Sequence, residues 1–198
     1  MGKEELRNRA IWQDYSGQKA ALAEHGFFAL FQKLFEGTEY RIRSKPREFN
    51  NVYRAVVLDD LTRSEIYDPD EKYTHGLIPD YAIDNTKTGK TIYVEVKRQD
   101  GWVENKPKSA GRGNAHERSN KLFTPGLMAL MREKGGIAES ALPFWVIFQG
   151  DIARDPKRVR EVTFWYHGHT GHFFFWRNSA DPAPLIAHFE KHILPLLD

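Results

Sequence analysis

The feature that most restricts this chain is a pair of alternating segments separated by a short polar turn. Ile78-Pro79-Asp80-Tyr81-Ala82-Ile83-Asp84 and Thr91-Ile92-Tyr93-Val94-Glu95-Val96-Lys97 both alternate, and Asn85-Thr86-Lys87-Thr88-Gly89-Lys90 between them is rich in turn formers. Period-two alternation on both sides of such a turn predicts an antiparallel hairpin, and so a sheet. Along the second segment Ile92, Val94 and Val96 share one face, while Tyr93, Glu95 and Lys97 share the other. With the turn centred between Lys87 and Thr88, Asp80 stands directly across from Glu95. Residues paired in this way have Cβ atoms ~4.5–5.5 Å apart.

The rest of the chain predicts elements to flank that hairpin. Gly17 to Phe35 places Phe27, Phe28, Leu30, Phe31, Leu34 and Phe35 at helical spacings and stops at Gly37. Asn51 to Leu58 fits helix and strand equally. Asn114 followed by Glu117 has the form of an N-cap with a capping-box acid. Thr124-Pro125 starts another helix that ends at Gly135-Gly136, since proline suits the first helical position. Pro143 to Phe148 is a short apolar run of the kind a doubly covered strand shows. Val162 to Tyr166 and His172 to Trp176, on either side of a His/Gly turn, predict a second hairpin, and Pro184 to Leu197 a closing amphipathic helix. The sum is an α/β fold, a mixed central sheet of about five strands flanked by helices, in a single domain spanning residues 1–198.

Composition narrows the chemistry. The absence of cysteine excludes disulfides, thiolate metal sites and a cysteine nucleophile. No apolar run reaches the ~20 residues of a membrane span, and the charged start Met1 to Arg7 lacks a signal-peptide core. The expectation is a cytoplasmic protein with no membrane partner. Net charge is only +2, but its distribution is uneven. Lys97, Arg98, Lys106, Lys108, Arg112, Arg118 and Lys121 face only Asp100, Glu104 and Glu117 over the same stretch, and Arg154, Lys157, Arg158 and Arg160 form a second cluster. Two basic segments on a nearly neutral chain suggest a directional anionic partner such as a nucleic-acid backbone. Each taken alone is better read as a solvated face.

Opposed carboxylates repel unless a cation lies between them. Asp80 and Glu95, with the Val96 carbonyl as an extra oxygen ligand, suit a divalent ion, and Lys97 adds an ammonium on the same face. Such a set serves phosphodiester hydrolysis, since the ion polarises phosphate and lowers the pKa of bound water while the lysine orients water or offsets charge. The pattern Pro79-Asp80 followed by Glu95-Val96-Lys97 also occurs on solvated edge strands, so that reading stays open here. Downstream, Gly111-Arg112-Gly113-Asn114-Ala115-His116-Glu117-Arg118 combines glycines that allow close backbone approach with side chains suited to base edges. Asn can bond adenine bidentately, Arg guanine, and Glu an exocyclic amine. Helix capping and phosphate contact remain alternatives for the same residues.

Gly113-Asn114-Ala115-His116-Glu117-Arg118, placed after a PD…ExK pattern, resembles the GNAxER element of the EcoRI group of type II restriction endonucleases, within the PD-(D/E)xK superfamily. The likeness extends through Lys97 to Glu104, Ser109 to Ser119, Lys121 to Leu127 and Arg154 to Tyr166, and is weaker over the first forty residues and after Tyr166. It implies Asp80 and Glu95 as magnesium ligands and Lys97 as the third catalytic residue. It further implies an AATT core read by Gly113, Asn114, Ala115 (largely backbone), Glu117 and Arg118, with Arg112 on the outer guanine. The implied reaction is cleavage of double-stranded DNA at CAATTG after the first C, leaving 5′-AATT overhangs. A palindromic target calls for a homodimer, and the host would carry a companion DNA methyltransferase. Lys106, Lys108, His116, Arg154, Lys157, Arg158 and Arg160 are candidates for backbone contact. His167, His169 and His172 lack a carboxylate or cysteine to complete a ligand set and read as surface residues. Two rivals are a repair or recombination nuclease without a fixed cut sequence, and a DNA-binding module without catalysis.

Overall fold

A computed structural model describes residues 25–67, 74–101, 103–105 and 115–198. Five strands form one sheet in the order β1 (Tyr40–Ser44), β2 (Tyr81–Asn85), β3 (Thr91–Arg98), β4 (Phe144–Gln149), β5 (Phe173–Trp176). The first three are antiparallel, and β4 and β5 run parallel to β3. The predicted hairpin forms in the predicted register: Tyr81 pairs with Val94, Ala82 with Tyr93 and Ile83 with Ile92. Asn85 closes the turn, its side-chain oxygen accepting from the N–H groups of Lys87 and Thr88, while Gly89 takes the left-handed conformation at φ 76°.

The helices cover both faces, which is why β2 and β4 are buried along their whole length. On one side lie α1 (residues 25–34), α5 (Ala183–His192) and α6 (Leu194–Leu197), whose Phe27, Phe31, Leu185, Phe189 and Leu197 pack on Ile83, Ile92, Val94, Trp145 and Ile147. On the other lie α3 (Pro125–Gly135) and α4 (Pro156–Trp165), where Leu127, Met131, Val162 and Tyr166 pack on Ala82, Tyr93, Phe144 and Val146. A short α2 (Asp60–Glu65), capped by the Asp59 side chain, lies outside these layers. The α3 boundaries fall where its sequence signals place them, with Thr124 at the N-cap, Pro125 in the first turn and Gly136 left-handed at φ 63°. Asn51 to Leu58, which fitted helix and strand equally, holds a single 3-10 turn, Tyr53–Ala55.

Two expectations are corrected. Val162 to Trp165 belongs to α4, not to a second hairpin, so β5 enters the sheet parallel to β4 by a helical crossover. The β-branched and aromatic composition of that stretch is overridden by its start: Asp155 accepts from Lys157 N–H and Pro156 occupies the first turn. Asn114 lies outside the described residues, and the helix in its neighbourhood is a 3-10 helix, Glu117–Phe123, with His116 at its N-cap. The helix thus starts at Glu117, not directly after Asn114. Residues 17–24 of the first predicted helix also lie outside the described residues. Strand β1 was not foreseen, although Tyr40-Arg41-Ile42-Arg43-Ser44 carries the alternation that marks it.

Candidate active site

The antiparallel β2–β3 ladder ends at Tyr81 and Val94, so the N–H of Val96 has no β2 carbonyl to meet. Asp80, one residue before β2, fills the gap: its Oδ2 accepts from Val96 N–H at 2.9 Å. This fixes the carboxylate across the open end of the hairpin, beside Glu95 and Lys97 on the same face. The Lys97 ammonium donates to Glu95 Oε2 and lies 3.6 Å from Asp80 Oδ2. Asp80 and Glu95 are 8% and 4% exposed. Burial makes the two charges costly unless they are compensated.

A fourth member is Lys45, which sequence reasoning missed. Its Nζ donates to Asp80 Oδ1 at 2.6 Å, and its backbone N–H to the Asp80 carbonyl at 2.9 Å. Lys45 adopts φ 47°, an uncommon conformation for a non-glycine residue, just where β1 ends. No local pattern marks it, because only the pairing of β1 with β2 brings it to Asp80. Burial opposes charge on Asp80, but Lys97, Lys45 and the Val96 N–H outweigh it and hold the carboxyl below the ordinary aspartate range. For Glu95 burial wins: it pushes the carboxyl up, with Asp80 reinforcing and Lys97 opposing it. Two neighbouring carboxyls driven apart in this way form a site that a cation would complete.

The donor set fits a divalent ion. Asp80 and Glu95 supply hard carboxylate oxygens at the open end of the β2–β3 ladder, and the Val96 carbonyl is the adjacent oxygen. Among the described residues no cluster of three or more His, Cys, Asp or Glu side chains exists. Further oxygens would have to come from water or phosphate, as magnesium ordinarily accepts.

The basic segments divide. Lys106, Lys108, Arg112, Gly113 and Asn114 lie outside the described residues. Ala115 N–H donates to Gln99 Oε1 at 3.2 Å, and Glu117 and Arg118 are exposed on the 3-10 helix. His116 corrects an expectation: it is fully buried, stacked on Trp165, and cannot meet a phosphate at the surface of this chain. In the second cluster Arg158 is buried and bonded to Glu161 at 2.6 Å, an ion pair of the fold that takes it out of the surface set. Arg154 and Arg160 are exposed and Lys157 half-buried, with Arg160 held by Glu104 at 2.7 Å. His172 also departs from its surface reading, since its buried ring accepts from Leu142 N–H at 3.3 Å and donates to the Phe144 carbonyl at 3.1 Å.

A five-stranded mixed sheet between two helical layers, with the carboxylates and lysine at the end of its β2–β3 hairpin, defines a restriction-endonuclease-like fold. The crystal structure of MunI restriction endonuclease in complex with cognate DNA superposes with a TM-score of 0.81 at 49% identity, covering 94% of this chain and 97% of that one. Type II restriction enzyme MunI of Mycoplasma sp is 51% identical over 202 residues, with both chains covered in full. The sequence also matches the family described as Type II restriction enzyme MunI over residues 1–198. The chain belongs to the type II restriction enzyme MunI family.

Proposed function

We propose that this chain is a magnesium-dependent type II restriction endonuclease, one catalytic and recognition domain over residues 1–198. It acts as a homodimer in the cytoplasm and hydrolyses double-stranded DNA at CAATTG after the first C, leaving 5′-AATT overhangs. The observation that carries this reading is the meeting of Asp80, Glu95 and Lys97 at the open end of the β2–β3 hairpin, in a chain alike in full length to MunI. No described helix is long and apolar enough to cross a membrane.

In this mechanism Asp80, Glu95 and the Val96 carbonyl would hold Mg²⁺, which would supply Lewis acidity toward phosphate and water. Asp80 is held in place by the Val96 N–H and by the bond from the Lys45 backbone N–H to its carbonyl. Lys97 lies against both carboxylates, where its ammonium offsets their charge and would stabilise charge developing on a phosphate. Arg112, Gly113, Asn114, Ala115, Glu117 and Arg118 read the bases, and Arg154, Lys157, Arg160, Lys106 and Lys108 contact the backbone. A cell making this activity needs a methyltransferase to protect its own DNA. A digest of sequenced plasmid with Mg²⁺, every cut end mapped, tests the reading. Discrete ends at CAATTG support it, whereas another AATT hexamer would overturn the role of Arg112. Random nicks would make the protein a nonspecific or structure-selective nuclease, and tight binding without cleavage a binding module.

A further inference from the structure

Within the segment Ala115–Arg118 one residue faces inward. Glu117 and Arg118 are exposed, whereas His116 between them and Ala115 is fully buried. Its ring lies parallel to that of Trp165 on α4, with centroids 5.4 Å apart and planes tilted by 10°. Neither ring nitrogen makes a well-aligned hydrogen bond. Glu161 Oε2, which accepts from Arg158 at 2.6 Å, lies 3.3 Å from Nε2, and Glu117 Oε1 is further off at 3.7 Å. Burial and the nearby Arg158 keep the imidazole from charging, against the pull of Glu117 and Glu161. A buried, uncharged ring stacked face to face on an indole acts through its faces, as a flat plug. The backbone turns on the same residue: the His116 carbonyl accepts from Ser119 N–H at 3.2 Å and from Ser119 Oγ at 2.6 Å, which starts the 3-10 helix.

We propose that His116 is a positioning residue for sequence discrimination, its ring stacked on Trp165 so that α4 fixes the backbone presenting Ala115, Glu117 and Arg118 to the bases. The inference rests on the reading of residues 112–118 as the base-reading element. Base contacts tolerate misplacement of only about half an ångström, so freeing this anchor costs recognition first and general DNA affinity last.

The test compares cleavage of two duplexes, one carrying the sequence found at the mapped ends and one with a single inner A·T pair changed to G·C. His116→Ala is expected to lower kcat/KM on the first by about tenfold or more, with affinity for a random-sequence duplex held within about twofold. His116→Phe, which keeps the stacked face, is expected to restore discrimination to within about threefold of the unaltered protein. Trp165→Leu removes the partner from the other side and is expected to reproduce the selective loss, without adding to it in the double variant. Should His116→Ala not fold, the Phe and Leu variants decide. Unchanged discrimination in Trp165→Leu, or a parallel fall in random-duplex affinity, overturns the anchoring role. Equal cleavage of both duplexes by the unaltered protein overturns the recognition reading itself, and this inference with it.

Discussion

Lys45→Met tests the charge balance at the hairpin end. Two carboxylates, Asp80 and Glu95, meet two ammoniums, Lys45 and Lys97. The Lys45 side chain is 51% exposed, so its 2.6 Å pair with Asp80 falls among partly exposed ion pairs, worth about 1 kcal/mol. A divalent ion binding Asp80 has to displace that ammonium. Removing the ammonium lifts this cost, and about 1 kcal/mol corresponds to roughly fivefold tighter ion binding. An opposing effect is small: Asp80 loses one of the groups that holds its carboxyl low, but an aspartate with an ordinary pKa of about 3.9 is still ionised near neutral pH. Methionine keeps most of the apolar stem, and the Lys45 N–H bond to the Asp80 carbonyl does not depend on the side chain. Calorimetric titration of the DNA-free protein with Mg²⁺ at neutral pH reads the affinity directly. Unchanged or weaker binding in Lys45→Met would refute the competition between lysine and ion.

Glu95→Ala removes one of the two carboxylates that would hold the ion; cleavage is expected to fall below detection while specific DNA binding survives or tightens, as fewer negative charges face the phosphate. Cleavage at the unaltered rate in a plasmid assay would dismiss the site. Arg112→Ala is expected to relax discrimination at the outer base pair by about 1–3 kcal/mol, measured as relative cleavage of duplexes differing only there; equal weakening on every duplex would make it a phosphate contact. A third expectation concerns pH. Burial lowers the pKa of His172 to about 4, so the folded chain leaves this ring neutral where the unfolded chain, with a value of about 6.5, takes up a proton. Stability is therefore complete above pH ~6.5 and declines as pH falls toward 4, by about 2 kcal/mol at pH 5 from this residue. Urea denaturation between pH 7 and 5 should show that slope, and a shallower one in His172→Phe; equal slopes would reject the assignment.

The hairpin was legible in the sequence because everything that sets it is local. The turn residues Asn85 to Lys90 and the alternation on both sides determine the register, and the register puts Asp80 across from Glu95 with Lys97 on the same face. The boundaries of α3 were legible for the same reason, through Pro125 and the Gly135-Gly136 pair. What the sequence could not reveal depends on partners distant along the chain. Arg41 and Arg43 of β1 are half of a strand and half of an ion-pair cluster, joined only when both meet the buried carboxylate of Asp84. Val162 to Trp165 has strand-like composition, yet Val162 and Tyr166 bury together on the sheet because the helix is nucleated upstream at Asp155 and Pro156. Lys45 reaches Asp80 only through the pairing of β1 with β2, and His116 is buried only because α4 carries Trp165 back over it. By itself the sequence determined the acidic hairpin and its register, since hydrogen bonding within a short loop decides them. The tertiary structure alone decided which cations neutralise that hairpin and what anchors the segment beside it, because burial and long-range packing have no signature in neighbouring residues.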